Sequence, residues 1–407
     1  MDQMARTEAR IIDTQNLLIV LSKLEEESLL SDFGGTVISG SDVSSGLTSL
    51  AQKAVYLCGD LSKARELDLS AAARIYVIRE LSHGYEEDMA LSLVDLGRVP
   101  VRTHGVGVFY RRFFDRGADY FSRICAEHTF QSLTESTKPG KAHRTGIYLT
   151  PVQQDGDELH FRLLRCSTNL SGPTENFRAT DRHIVEALNQ ETAFLFEDQA
   201  ALNHVLAQIY HNTPAAAAQK QAKARISAHA DKTKDMPANG IMAFCTFYDQ
   251  LDKLRPLGKD AFDYGHKGTS GLTRLRFRLK EPSSGLPGSG LPAQFTLTLY
   301  PNSVFFMPLS TNRRYTHEIL SPTLDAELLP TRLGYVVRCS STEAVHKDGH
   351  TFLKMNGGLV KLEPPTIEGM SELRRLYAEE NTTQAFIDYG SELLFSMNQG
   401  DYVAPQL

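Results

Sequence analysis

A chain of 407 residues, 41% of them hydrophobic, is long enough for two domains or for one enlarged domain with a sizeable core. Its net charge of −6 gives no support to duplex nucleic acid as a partner, and its five scattered cysteines (Cys58, Cys125, Cys166, Cys245, Cys339) argue against a disulfide framework and for a reducing compartment. No apolar run reaches the roughly 18 residues of a membrane span, so no membrane partner and an intracellular, cytoplasmic location are expected.

Residues 1–140 read as a helical module. Ile11, Ile12, Leu17, Leu18, Leu21 and Leu24 recur at helical spacing, as do Leu47, Leu50, Ala54, Leu57 and Leu61; 71–81 and 109–129 look alike. Gly34-Gly35 and 39–45 read as loops between them. From about residue 145 the period changes. Short strands are predicted at 146–152 and 159–164, a helical stretch at 180–210 with Asp181 as a plausible cap, and a loop or helix end at the alanines 215–218. Strands then follow at 224–229, 241–248, 272–279, 295–300, 304–308, 315–320, 333–340 and 351–355, separated by turn residues and by a Gly/Ser/Pro-rich loop at 282–292. That punctuation suggests a closed or double-sheet β fold across 141–360. A helical extension, with its helix at 370–397, is expected within 361–407 after Pro364-Pro365.

Within the β region, His229-Ala230-Asp231 places an imidazole and a carboxylate two residues apart at a strand end, where both can face one cavity. His317 lies on a later short strand. Two His and one carboxylate can hold one face of Fe(II) and leave the opposite positions open for a cosubstrate and O2. Arg332 and Arg338, six residues apart, share a strand face with Gly334 and Val336 between them. Two arginines facing a barrel interior need an anionic partner, and a metal-bound dicarboxylate supplies one. A second His-x-Asp, His346-Lys347-Asp348, runs into Gly349 and reads as a hairpin turn.

These residues resemble the AlkB family of Fe(II)/2-oxoglutarate dioxygenases, which carry His-x-Asp, a later His, and Arg-x-Asn-x-x-x-Arg on a strand of a double-stranded β-helix. The set here is His229, Asp231, His317, Arg332 and Arg338, in the family's order. Gln208-Ile209-Tyr210 resembles the family's Asn-x-Tyr segment, with Gln208 in place of Asn, and Gly334 stands where the family usually has Asn. The resemblance spans roughly 195–345. It implies an α+β fold with a double-stranded β-helix (jelly-roll) core, Fe(II) held by His229, Asp231 and His317, and 2-oxoglutarate held by Arg332, Arg338, Tyr210 and Gln208. By family pattern, Arg332 meets the far carboxylate and Arg338 the metal-bound end or the substrate.

The reaction implied is hydroxylation of a C–H bond in a small molecule, with O2 consumed and 2-oxoglutarate converted to succinate and CO2. Asp231, where a Gly or Ala leaves room for halide, argues for hydroxylation over halogenation. Lys232 and Thr233, next to the ligands, are candidates for orienting substrate. Arg274, Arg276, Arg278 and Lys280 share one strand face, read either as a phosphate- or carboxylate-binding strip or as the solvated face of an edge strand. The first of these supports an alternative, AlkB-like oxidation or demethylation of a modified nucleobase. A further alternative is a catalytically silent binding module with the same fold.

Overall fold

The computed structural model describes residues 8–22, 31–46, 48–84, 92–134, 141–165, 170–217, 220–281, 290–390 and 392–407. Leu24, Leu47, Cys166, Ala218 and residues 282–289 of the predicted loop lie outside them. The architecture is mostly β-sheet with few helices.

The N-terminal region is not the expected helical module. It is a parallel sheet of β1 (Asn16–Val20), β2 (Thr36–Ser39), β3 (Ala54–Asp60), β4 (Arg74–His83) and β5 (Ser92–Val94), in the order β2-β1-β3-β4-β5. Leu17, Ile19, Val55 and Leu57 feed one apolar cluster, while Leu18, Tyr56 and Cys58 feed another on the opposite face. A strand buried on both faces shows no alternation, so its run of apolar residues imitates helical spacing. The predicted loop at 39–45 holds a short helix, Gly40–Ser44.

The chain then supplies β6 (Val101–Thr103), β7 (Gly107–Tyr110), helix α1 (Tyr120–Glu127), β8 (Lys141–Thr150), β9 (Glu158–Leu163) and helix α2 (Ala179–Thr192). Next come β10 (His204–Tyr210), β11 (Ile226–His229), β12 (Ile241–Asp249), β13 (Arg274–Leu279), β14 (Gln294–Thr298) and β15 (Ser303–Pro308). The last elements are α3 (Leu309–Arg314), β16 (Tyr315–Leu320), β17 (Thr331–Arg338), β18 (Thr342–Lys347), β19 (His350–Met355), β20 (Gly358–Lys361) and α4 (Ile367–Thr382).

Two of the resulting sheets build the site. The large one runs β8-β10-β17-β12-β15-β7-β6 through its middle, and a small one runs β11-β16-β13-β14. Their facing surfaces share one apolar cluster, with Met242, Phe244, Phe305 and Met307 from the large sheet and Leu275, Phe277, Phe295 and Ile319 from the small. The outer face of the large sheet is covered by Ile184, Val185 and Leu188 of α2 and Ile124 of α1. Its central strands are thus buried on both sides, which explains why 202–210 read as a continuation of a helix: α2 ends at Thr192, and β10 follows.

Other differences are local. The cap of α2 is Arg178, whose backbone N–H donates to Asp181 at 2.7 Å, so Asp181 sits inside the first turn. The expected helix at 370–397 stops at Thr382, and the described residues from there to Met397 form no further helix. The turn at Lys347-Asp348-Gly349 is as expected, with φ of +48° at Asp348 and +72° at Gly349 closing the β18–β19 hairpin.

His128, after α1, is a buried clamp. Its Nδ1 lies 2.8 Å from Glu175 and its Nε2 2.7 Å from Asp181, whose other oxygen accepts from the Tyr335 hydroxyl at 2.7 Å. Burial alone would lower the His128 pKa; the hydrogen bonds to Asp181 and Glu175 outweigh it and raise the pKa to about 9. The imidazolium therefore stabilises the fold fully below the ordinary value of about 6.5, and that contribution is lost as pH rises through about 9. Replacing His128 by Ala leaves two buried carboxylates facing each other without their cation. It should cost about 3–5 kcal/mol at pH 6, with a smaller gap from wild type at pH 10, as measured by urea unfolding at both pH values.

Candidate metal and cosubstrate site

His229 ends β11 and His317 lies in the middle of β16; the two are directly paired across these neighbouring strands. Their ring centroids are 4.5 Å apart. Asp231 follows just past the strand end, with Oδ1 3.4 Å from His229 Nε2 and 3.6 Å from His317 Nε2. Each of the three offers a ligand atom, and these atoms lie within 4.8 Å of one another. His317 and Asp231 are buried, while the His229 side chain is 33% exposed, so the group opens to solvent on that side.

The surroundings set the protonation of this group. His229 Nδ1 lies 2.9 Å from the Ser227 carbonyl, an arrangement that uses Nδ1–H as donor and turns Nε2 toward Asp231. Burial and the neighbouring His229 push His317 down to about 3, so its ring is neutral at physiological pH. Burial would raise the Asp231 carboxyl, but Arg338, with Nη2 2.5 Å from Oδ2, overrides it and holds Asp231 well below the usual carboxylate range. Two imidazoles and one carboxylate are a donor set for a divalent metal with open positions. A second acidic group, Glu127, His128 and Asp181, is also compact, but both nitrogens of His128 are already engaged by carboxylates.

The register orders the inner face of the large sheet in rows. The first holds His204, Arg338, Met242 and Met307, and the second Leu206, Val336, Phe244 and Phe305. The third holds Gln208, Gly334, Thr246 and Ser303, and the fourth Tyr210, Arg332 and Tyr248. Successive rows are about 6.5–7 Å apart, two residues of strand rise. The triad lies over the first two rows: Arg338 holds Asp231, and the His317 ring meets Phe244 edge-on at 5.4 Å.

Arg332 is buried, stacks over the Tyr210 ring at 4.0 Å, and has an Nε without a hydrogen-bond partner. No carboxylate among the described residues lies within ion-pair distance of it. Its guanidinium leans toward the third row: a Cβ on Gly334 would sit 2.9 Å from Nη1 and 3.1 Å from Nη2. The lack of a side chain at Gly334 thus leaves the space that Arg332 occupies. The Tyr210 hydroxyl lies 3.4 Å from Gln208 Oε1. The sequence-derived set of Gln208, Tyr210, Arg332 and Arg338 therefore lines one inner face beside the triad.

Other expected site residues lie elsewhere. Lys232 and Thr233 are held by α4: Lys232 Nζ donates to the Tyr377 carbonyl at 3.1 Å, and the Thr233 hydroxyl donates to Glu380 at 2.5 Å. They anchor the ligand loop to the C-terminal segment. β13, expected as an edge strand, is paired on both sides by β14 and β16. Arg276 and Arg278 both engage Glu318 on β16, Lys280 is buried against the carbonyls of Asn312 and Glu380, and Arg274 remains exposed.

Sequence reasoning missed Asn312 and Asn381. Asn312 Oδ1 accepts from the Asp231 N–H at 2.8 Å and its Nδ2 donates to the Asp231 carbonyl at 2.9 Å; Asn381 Oδ1 accepts from the Ala230 N–H at 2.8 Å. No local pattern marks either residue. Thr246 and Ser303 were also missed, although a hydroxyl at the inward period of an apolar strand, as in Met242-x-Phe244-x-Thr246, is a readable signal. Beside the site a cavity of about 420 Å³ is lined by Thr233, Lys234, Asn312, Arg313, Glu380 and Phe386, among others, and the triad does not line it.

No protein-family model matches this chain, and no curated protein matches it in sequence. Among solved structures it is similar to the crystal structure of the non-heme alpha-ketoglutarate-dependent epimerase SnoN from nogalamycin biosynthesis. The identity is 13%, the match covers 57% of this chain and 77% of that one, and the TM-score is 0.31. A likeness that slight bears no weight for this chain. No helix among the described residues is long and apolar enough to cross a membrane.

Asn312 orients Asp231 without touching the ligand atoms. Asn312→Ala should lower Co(II) affinity by roughly 10–100-fold, as measured by calorimetric titration. The melting curve of the metal-free protein should reflect only the loss of about 1–3 kcal/mol from the unpaired Asp231 backbone groups.

Proposed function

We propose that the chain is an Fe(II)- and 2-oxoglutarate-dependent oxygenase that hydroxylates a C–H bond of a small molecule. The carrying observation is that the cross-strand His229–His317 pair of the small sheet, with Asp231 paired to Arg338, faces the inner surface of the large sheet that also carries Arg332, a buried arginine with no carboxylate within ion-pair distance among the described residues. The strand orders support a double-stranded β-helix: β10-β17-β12-β15 against β11-β16-β13-β14, with the ligand strands adjacent in the small sheet.

The donor set fits Fe(II), with His229, Asp231 and His317 as ligands. When bound there, it supplies oxygen activation coupled to decarboxylation of 2-oxoglutarate to succinate and CO2. Arg338 fixes Asp231 as a carboxylate and keeps one of its oxygens turned from the histidines. Val336 and Phe244, in the second row, offer an apolar bed for the middle of the cosubstrate. Arg332, held by Tyr210, supplies the cation for its far carboxylate.

Oxidation of a nucleobase is less well supported. Arg276 and Arg278 are both engaged by Glu318 and Lys280 is buried, so little of the basic strip on β13 is left for phosphates. A silent binding module has no use for a buried arginine aimed at an anion beside an intact ligand triad.

With anaerobically loaded Fe(II) and then air, the wild-type protein should form succinate from 2-oxoglutarate slowly even without substrate. His229→Ala should abolish this. Arg332→Met should raise the apparent KM for 2-oxoglutarate by roughly 10–100-fold, from the loss of about 1.5–3 kcal/mol of charge-assisted hydrogen bonding. Succinate formation unchanged in both variants would overturn the assignment.

A further inference from the structure

Glu380, in the last turn of α4, is 5% exposed, and its two carboxylate oxygens serve different parts of the chain. Oε1 accepts from the Thr233 hydroxyl at 2.5 Å and from the Thr233 N–H at 3.1 Å. Oε2 accepts from the Tyr389 hydroxyl at 2.5 Å. Thr233 stands two residues beyond Asp231, so one carboxylate ties the ligand loop to the C-terminal segment. The Glu380 backbone is fixed as well. Its carbonyl accepts from Lys280 Nζ at 2.5 Å, and the same ammonium donates at 3.2 Å to the carbonyl of Asn312, whose side chain holds the Asp231 backbone.

These bonds border a hollow. Thr233, Asn312, Glu380 and Tyr389 all line the cavity of about 420 Å³ beside the site. From Thr383 to Gly390 the chain forms no helix or strand; Phe386 is 53% exposed, and Tyr389, packed with Leu373, Leu376 and Tyr377 of α4, is the buried side chain of the stretch. Close packing therefore does not fix the ligand loop on this side, and the charge-assisted hydrogen bonds of Glu380 take its place. A stretch with so few apolar contacts opens at lower free energy than the core it lies on.

We propose that Glu380 is a positioning residue for the metal. Through Thr233 it sets the path of the loop just after Asp231, and through Tyr389 it makes that path depend on the docking of residues 383–390. Metal binding and docking of this segment are then coupled, and by linkage each favours the other by the same factor. The inference rests on the metal reading of the triad and needs neither 2-oxoglutarate nor a particular substrate.

The test uses the full chain with Co(II) as the probe. Calorimetric titration reads affinity, and deuterium exchange of the amides in 383–390, with and without Co(II), reads docking. Glu380→Ala should bind Co(II) roughly tenfold or more weakly, as for other groups that orient a ligand from outside the metal. Glu380→Gln keeps an acceptor for Thr233 and a polar partner for Tyr389, and should bind close to wild type. Tyr389→Phe cuts the tie to the segment alone and should lose less affinity than Glu380→Ala. Co(II) should slow exchange in 383–390 of wild type and leave it unchanged in Glu380→Ala and Tyr389→Phe. A purely structural role predicts a lower melting temperature in Glu380→Ala with Co(II) affinity equal to wild type; that result would overturn the inference and leave the metal site standing. So would exchange in wild-type 383–390 that Co(II) does not alter. Should Glu380→Ala fail to fold, Tyr389→Phe and Thr233→Val carry the same comparison. Wild-type protein that binds no Co(II) would overturn the inference and the metal reading together.

Discussion

The Arg338–Asp231 ion pair joins the two sheets at the point where the site is built. Arg338 ends a central strand of the large sheet, Asp231 follows the first strand of the small one, and both are buried. A buried carboxylate needs a cation to remain ionised, and a buried arginine needs an anion to be tolerated. Each satisfies the other. The pairing fixes how the small sheet closes over the large one, and therefore where His229 and His317 stand relative to the inner face.

From that tie the rest of the site follows by register. Strand periodicity carries Val336, Gly334 and Arg332 away from Arg338 on one face, and the cross-strand partners bring Phe244, Thr246, Gln208 and Tyr210 alongside. The face changes from apolar to polar as it leaves the metal end. Asn312 fixes the Asp231 backbone from α3, and α4 returns to cover the ligand loop through Lys232, Thr233 and Asn381. The C-terminal segment thus acts as a support for the ligand loop.

How much was legible depended on whether a signal was local. His229-Ala230-Asp231 and Arg332-x-x-x-x-x-Arg338 are local patterns with strand period, and the structure sets the first over the inner face that carries the second. His317 was found because its strand is short and alternates cleanly, with burial in and out at successive residues. The parallel sheet of β1 to β5 was missed because both faces are buried, so Leu17 to Val20 and Ala54 to Cys58 show no alternation. β10 was absorbed into a helix for the same reason. Lys232 and Thr233 read as candidates for orienting substrate because nothing near them in sequence reveals that α4 comes back to hold them. Arg276 and Arg278 read as a free strip because their partner, Glu318, lies on a strand remote in the chain.

The central claim is that the His229–Asp231–His317 group and the inner-face arginines form one joint site for Fe(II) and a 2-oxo dicarboxylate. Anaerobic titration of the full chain with Fe(II), followed by 2-oxoglutarate, tests it through the visible metal-to-ligand absorption that arises only when the keto acid chelates bound ferrous iron. The account predicts one Fe(II) per chain, a band that requires both components, and its loss in His317→Ala. No stoichiometric Fe(II) binding, or a band that persists in His317→Ala, would contradict it.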